Sequence, residues 1–329
     1  MKLLSIAVPC YNSAAYMKNC INSLLVGGDD VEIIIVDDGS AKDDTARIAD
    51  EFMADYPGIV KAIHQENGGH GEGINQGVRH ATGVYFKSVD SDDWVSDDFP
   101  AFLDELENCE RQGGVDLFVT NYYYEHADGK GNRSINFSNA LPENRIFTWE
   151  ETRPFRIDQI LMIHSCTFRT ELLRRNGIEL PKHMFYEDNY MVYGNLQGVR
   201  RMYYRNSDLY RYYIGREGQS VQKDVMKKRY RHQIRTAELC FCACRLDEIE
   251  SRRQREYMKH ELFIMYGIAI LFARLNRTEE AERDLEKMWQ TCQHFDWKWA
   301  QHFRKRTLLW FITRPGESGA AFVTLIYNI

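Results

Sequence analysis

The chain has 329 residues, 44% of them hydrophobic, enough to bury a full core as one large domain with an appendage or as two domains. Its formal charge of -6 excludes a general nucleic-acid binder and leaves room only for a local basic patch. The N-terminus has one lysine and a short apolar run before Pro9, with no small-residue cleavage site, so no export is expected. The longest nearly apolar run, Leu262 to Ala273, falls short of the roughly 18 residues needed to span a bilayer. The cysteines are scattered without a C-x-x-C pair. Cys240 and Cys244 alone would share a helix face, so they read as buried thiols in a reducing compartment.

Short β-rich runs alternate with helical patterns over the first 120 residues, the signature of an α/β fold with a mostly parallel sheet flanked by helices. Near-continuous apolar runs predict strands at Leu3 to Val8, Val31 to Val36, Ile59 to Ile63, Val84 to Val89 and Asp116 to Thr120. Met17, Ile21, Leu24 and Leu25 form a helical stripe, with Ser13 or Asn12 as its cap. Further helices are expected near Thr45 to Asp55 and Glu72 to Ala81. From about Lys223 the pattern turns to long helices, giving a sheet domain over residues 1–220 and a helical C-terminal region over 221–329.

In open α/β sheets ligands bind beyond the carboxyl ends of the strands. The informative residues stand there. "VPCYN" follows the first strand, "VDDGS" the second, "ENGGHGEG" the third, and "DSDDW" the fourth. Tyr11 offers a face for stacking, Asp38 an acceptor for a base edge, and the glycines allow close backbone approach. Asp90, Asp92 and Asp93 repel one another unless a cation lies among them. Carboxylate oxygens at a strand end suit Mn²⁺ or Mg²⁺ carrying a diphosphate. "GHGEG" is not a dinucleotide fingerprint, because it follows the third strand and its spacing is wrong.

In order and spacing, "SIAVPCYN", "EIIIVDDGSAKDDT", "NGGHGEGINQG", "VDSDDW" and "FYEDNYM" resemble the family 2 glycosyltransferases with the nucleotide-sugar-binding GT-A fold. The resemblance covers roughly the first 220 residues. It departs in the third motif, where the commoner form has an arginine near Glu72. The resemblance implies that Pro9, Tyr11, Asn12, Asp38 and Ser40 hold the nucleotide, with Asn67 and Gly69 as further candidates. It implies a D-x-D element in which Asp90 lies nearer the ribose and donor sugar and Asp92 binds the divalent metal, Mn²⁺ or Mg²⁺, with Asp93 as a third member or merely a helix start. It implies Asp188 as general base, Glu187 beside it on the acceptor side, and a single displacement with inversion from a nucleotide-diphosphate sugar, UDP-linked by expectation. The acceptor expected is a glycan or lipid-linked saccharide in cell-surface polysaccharide or glycolipid assembly.

Two residues carry two readings each. Arg216 reads as a diphosphate contact or as part of a surface turn. His164 reads as an acceptor-side residue or as a hydrogen-bonded structural one. The segment Trp297 to Arg314, with three tryptophans, five Lys or Arg and no acid, reads as a helix at a membrane surface or as an amphipathic helix docked on its own domain. A cytoplasmic, non-processive enzyme, peripheral at the inner face of the membrane, is the resulting expectation, since no Q-x-x-R-W motif is present. A catalytically silent scaffold of the same fold and a sugar-nucleotide pyrophosphorylase are the alternatives. The pyrophosphorylase would want a glycine- and basic-rich loop after the first strand, and "PCYNSAAY" has none.

Overall fold

The computed structural model describes residues 2–215 and 222–306. In chain order the elements are β1 (Leu4–Cys10), α1 (Met17–Leu25), β2 (Val31–Asp37), α2 (Thr45–Asp55), β3 (Val60–His64), α3 (His70–His80), β4 (Tyr85–Ser88), β5 (Trp94–Val95), α4 (Phe99–Arg111), β6 (Leu117–His126), β7 (Arg133–Ile135), β8 (Ile146–Phe147), β9 (Cys166–Arg169), α5 (Thr170–Asn176), α6 (Glu187–Leu196), β10 (Met202–Ile214), α7 (Lys223–Lys228), α8 (Tyr230–Cys242), α9 (Arg252–Arg274), α10 (Glu279–Phe295) and α11 (Trp297–Arg306). The chain divides into two compact units, one of Met1–Met184 with Gly198–Arg216, the other of Phe185–Gln197 with Glu217–Ile329. The second unit therefore also takes in α6, upstream of the composition change near residue 220.

One sheet organises the first unit, in the order β3-β2-β1-β4-β9-β6-β10-β5, with β7 on β6 and β8 on β10. β3, β2, β1 and β4 are parallel; the mainly apolar β1 and β2 are buried on both faces, whereas β3, at the sheet edge, is largely half-buried or exposed. Beyond β4 the sheet is mixed: β9 runs antiparallel to β4 and β6, while β10 runs parallel to β6. Every residue of β1, β2 and β4 is buried. Each fully buried Ile, Leu or Val there contributes roughly 1.5–3 kcal/mol.

Polar residues inside these strands are paired. Glu32 accepts from Lys61 Nζ (2.6 Å) and from Ser5, the Thr82 backbone and Gly83, fastening β1, β3 and the approach to β4. Burial alone would raise its carboxyl, but these donors hold it near 2. Helix α3 lies against β1 because Gly73 and Gly77 face it. A Cβ on Gly77 would stand 2.3 Å from the Ala7 Cβ, and one on Gly73 2.9 Å from that of Pro9.

Helix α1 buries Met17, Cys20, Ile21 and Leu24, close to the expected stripe. It starts at Met17 after a turn closed by the Ser13 carbonyl, which accepts from the backbone N–H groups of Tyr16 and Met17. Neither Ser13 nor Asn12 caps it through a side chain, because both side chains are used within the loops.

In the second unit α8 packs on α9 and α10, and α11 on α10. Tyr266 stacks on Trp289 with centroids 4.8 Å apart, and Phe303 of α11 packs against Tyr266 and Phe241. Lys298 and the Trp299 indole both reach Asp247, and Arg304 pairs with Glu286, so the described part of the C-terminal segment is docked on its own unit. Residues 307–314 of that segment lie outside the described residues. Among the described residues, no helix is long and apolar enough to cross a membrane.

Candidate active site

The loops after β1, β2, β3 and β4 are joined in a closed ring of hydrogen bonds. Loop one meets loop two where the Asn12 N–H donates to Ser40 Oγ (2.9 Å) and the Lys42 N–H donates to Asn12 Oδ1 (3.1 Å). Loop two meets loop three at Asp38, and loop three meets loop four where His70 Nε2 donates to Asp90 Oδ1 (3.0 Å). Loop four returns to loop one through Ser91 Oγ, which donates to Ser13 Oγ (2.8 Å). Tyr11 stands out from this ring, 52% exposed and available for stacking. Pro9 is a buried β1 residue beneath Gly73.

Asp38 is the knot between the second and third loops. Its Oδ1 accepts from Gln65 Nε2 (2.6 Å) and the Gly68 N–H (2.7 Å), its Oδ2 from Asn67 Nδ2 (2.9 Å) and the Gly69 N–H (2.8 Å). A carboxylate has about four lone-pair sites, and these donors occupy them. In this arrangement the buried Asp38 orders the third loop, and contact with a base edge would require one donor to let go. Gly69 serves the same packing: its φ of +87° suits glycine, and a Cβ there would lie 2.9 Å from the His183 nitrogen.

The aspartates differ in burial. Asp93 is 1% exposed; its Oδ2 accepts from the Tyr210 hydroxyl (2.6 Å) and its Oδ1 from the Tyr213 N–H (2.8 Å). It starts no helix, since α4 begins only at Phe99. Burial and the neighbouring Asp90 hold its carboxyl well above the usual carboxylate range, while Tyr210 and Tyr213 pull the other way. Asp90 and Asp92 are half-buried. The Asp90 N–H is held by the Tyr210 oxygen (3.1 Å).

His164 is buried among the rings of Tyr122, Tyr210 and Tyr212. Its Nε2 lies 4.0 Å from Asp90 Oδ2, and its Nδ1 has no hydrogen-bond partner among the described residues. Burial pushes the imidazole down to about 4, so it is neutral at physiological pH. Below it the buried Lys87 ammonium donates to the His164 carbonyl (2.8 Å) and the Cys166 carbonyl (3.3 Å), and burial lowers that group to about 8.

Among the described residues, ligand atoms of Asp90, Asp93 and His164 lie within 4.8 Å of one another, a group that can hold a metal ion. Two carboxylates and a neutral imidazole suit a first-row transition ion, which tolerates a nitrogen ligand, better than Mg²⁺, which takes oxygen ligands; Mn²⁺ shares the preference of Mg²⁺ for carboxylate oxygens. The His164 nitrogen that faces Asp90 is Nε2, 4.0 Å from its Oδ2, and in the neutral ring it can offer a lone pair to that donor set. Asp92, the metal residue expected from sequence, is not in the group; Asp90 is common to both.

Asp188 and Glu187 lie in the second unit, in the first turn of α6. Glu187 is buried and Asp188 half-buried, with Asp188 Oδ1 accepting from Asn189 Nδ2 (3.2 Å). Tyr186 precedes them at φ +68°, and its carbonyl accepts from Asn189 and Thr236. Arg216 lies outside the described residues. Sequence reasoning passed over His70, Tyr210, Tyr213 and Lys87. Only His70 carried a local signal, as the aromatic donor directly after the glycine pair of the third loop.

Comparison with known proteins decides the family: Glycosyl transferase family 2 matches residues 5–175. The chain belongs to that family. Glycosyltransferase GlyG of Streptococcus pneumoniae is 37% identical over 131 residues, 39% of this chain and 42% of that protein. The chain spans about half, or less, of the length of such curated relatives. Among solved structures, S. aureus TarS 1-349 in complex with UDP-GlcNAc superposes with a TM-score of 0.68 at 20% identity, covering 99% of this chain and 88% of that one. Mannosyltransferase PcManGT from Pyrobaculum calidifontis, in complex with GDP-Man and Mn²⁺, gives 0.55 at 13% identity, covering 99% and 86%. These likenesses show a family 2 chain with the GT-A transferase fold: a mixed α/β sheet flanked by helices, followed by a helical C-terminal region.

Proposed function

We propose that this family 2 protein is a metal-dependent, inverting and non-processive glycosyltransferase of hexosyltransferase type. It takes a UDP-sugar as donor and an acceptor hydroxyl in cell-surface polysaccharide or glycolipid assembly. The observation that carries the reading is the ring of four hydrogen-bonded loops, with Asp90 as one of its links, at the strand ends where nucleotides bind in such sheets. The UDP-GlcNAc in TarS supports a UDP donor, and the GDP-Man in PcManGT requires that guanosine donors be tested beside it.

Tyr11 stacks on the base in this reading, while Asn12 and Ser40 fix the loop that carries it. Asn67 and Gly69, held by Asp38, form the wall along the nucleotide. Asp90 and Asp92 hold the divalent metal, with Asp93 and His164 behind Asp90. When bound, the metal acts as a Lewis acid that neutralises charge on the departing diphosphate. Asp188 accepts the proton of the acceptor hydroxyl as the new bond from oxygen to the anomeric carbon forms and the bond to the diphosphate oxygen breaks. Attack opposite the leaving group gives inversion, by analogy with inverting glycosidases. Glu187 belongs to the acceptor side. Arg216 and peripheral membrane contact remain part of the proposal, on residues outside those described.

The test is product analysis with a panel of UDP- and GDP-sugars, Mn²⁺ and a lipid-linked saccharide. Transfer with inverted anomeric configuration, lost in Asp188→Asn while Mn²⁺-dependent UDP binding persists, is the expected result. Normal transfer by Asp188→Asn overturns the base assignment. Absence of thermal stabilisation by any nucleotide favours the silent scaffold.

A further inference from the structure

The third loop has no lysine or arginine between Gln65 and Gly73. Arg79, further along α3, is taken up by Glu72 (2.9 Å) and Glu179 (2.9 Å). Three side chains of the loop carry an N–H donor: Gln65, Asn67 and His70. The first two are turned onto Asp38. His70 alone is turned to the aspartate cluster, its Nε2 3.0 Å from Asp90 Oδ1.

The placement of His70 is fixed from both sides. The N–H groups of Gly68 and Gly69 are pinned by Asp38, and the Gly68 carbonyl accepts from the His183 N–H (2.7 Å). His70 then begins α3, which Gly73 and Gly77 seat directly on β1. The backbone under the imidazole therefore has little room to shift. Asp90 is restrained as well, its N–H held by the Tyr210 oxygen. One carboxylate oxygen is occupied by His70 and the other faces the buried His164 at 4.0 Å.

We propose that His70 is the positioning residue of the D-x-D element, holding Oδ1 of Asp90 so that the carboxylate meets a divalent cation in one orientation. The proposal rests on the metal-dependent reading above. Outer partners that orient ligating carboxylates typically matter by about 10–100-fold in metal affinity. His70 supplies that orientation here from a loop without a fixed cation.

Mn²⁺ binding to the nucleotide-free full chain, followed by the electron paramagnetic resonance of free Mn²⁺, tests it without any turnover. His70→Phe keeps a ring and removes the donor; His70→Gln places an amide nitrogen near the Nε2 position. The expected result is Mn²⁺ affinity weakened by about tenfold or more in His70→Phe and restored to within about threefold of wild type in His70→Gln, with unchanged thermal midpoints. A role in folding alone would lower the midpoint and leave affinity per folded molecule intact, which would overturn the proposal. Wild-type Mn²⁺ binding that Asp90→Asn weakens and His70→Phe does not overturns the His70 assignment alone. No Mn²⁺ binding to the wild-type chain overturns the metal-dependent reading and this proposal together.

Discussion

The Tyr210 hydroxyl donates to the Asp93 carboxylate at 2.6 Å. The same oxygen accepts from the Asp90 N–H, so one phenol on β10 braces the whole "DSDD" turn from the back. Tyr210→Phe leaves both groups one partner short inside the fold. It should cost about 1–3 kcal/mol in urea unfolding and weaken Mn²⁺ binding as Asp90 loosens. Unchanged values in both measurements would show that the brace is unimportant.

Asp92 and Asp93 should separate cleanly. Asp93 is buried under β10, whereas Asp92 is half-buried. Asp92→Asn is expected to lower Mn²⁺ affinity at least about tenfold with little change in stability, and Asp93→Asn to lower stability by about 1–3 kcal/mol. Calorimetric Mn²⁺ titration and denaturation of the two variants check this. If Asp93→Asn loses the metal and Asp92→Asn keeps it, Asp93 joins Asp90 and His164 as the ligand set.

Asp38→Asn puts an amide against one or more of four N–H donors. A loss of about 2–4 kcal/mol is expected, with the protection of the Gly68 and Gly69 amides against hydrogen exchange falling first. Retained protection there would mean that the third loop is held by something else.

Glu261 in α9 is fully buried, and neither carboxylate oxygen has a hydrogen-bond partner among the described residues. Burial raises its carboxyl to about 8, with Tyr257 pulling the other way and with Tyr193 and Cys240 close by. The folded state therefore keeps a proton that the unfolded chain has lost. Its contribution is full below the ordinary carboxylate range and is lost as pH rises toward 8, at about 1.4 kcal/mol per pH unit. Glu261→Gln should remove this slope, so the variant gains on wild type between pH 5 and pH 8 (about those limits). Parallel stability curves for the two proteins would rule the mechanism out.

Helix α11 is anchored through the buried Phe303. Removal of residues 307–329 leaves that anchor in place and tests membrane contact. Sedimentation with anionic liposomes is expected to fall on truncation. Equal sedimentation of both proteins would exclude the segment as a membrane contact.

The parallel half of the sheet was legible in sequence because β1 and β2 are mainly apolar runs that end in polar loops. α3 begins at His70, slightly earlier than its apolar pattern announces, since glycines and a histidine fill its first turn. The mixed half was hidden. β10 is a tyrosine-rich, half-exposed strand with a register shift between Arg205 and Tyr210, and β9 has only four residues. Their pairing depends on distant partners, to which local patterning is blind. The same distance concealed the difference between Asp92 and Asp93, because the tyrosine that claims Asp93 stands 117 positions away. Asp38 was found by its motif, but its four donors come from residues 65–69 and could be known only once β2 and β3 were side by side.

Because each of the four loops is bonded to the next, none of them can be exchanged by itself. A chimera that imports one loop from a relative with different donor preference breaks two junctions at once, so altered specificity should be inherited as a set of four. Natural drift faces the same constraint: a change at Ser13 is felt at Ser91, and one at Ser40 is felt at Asn12.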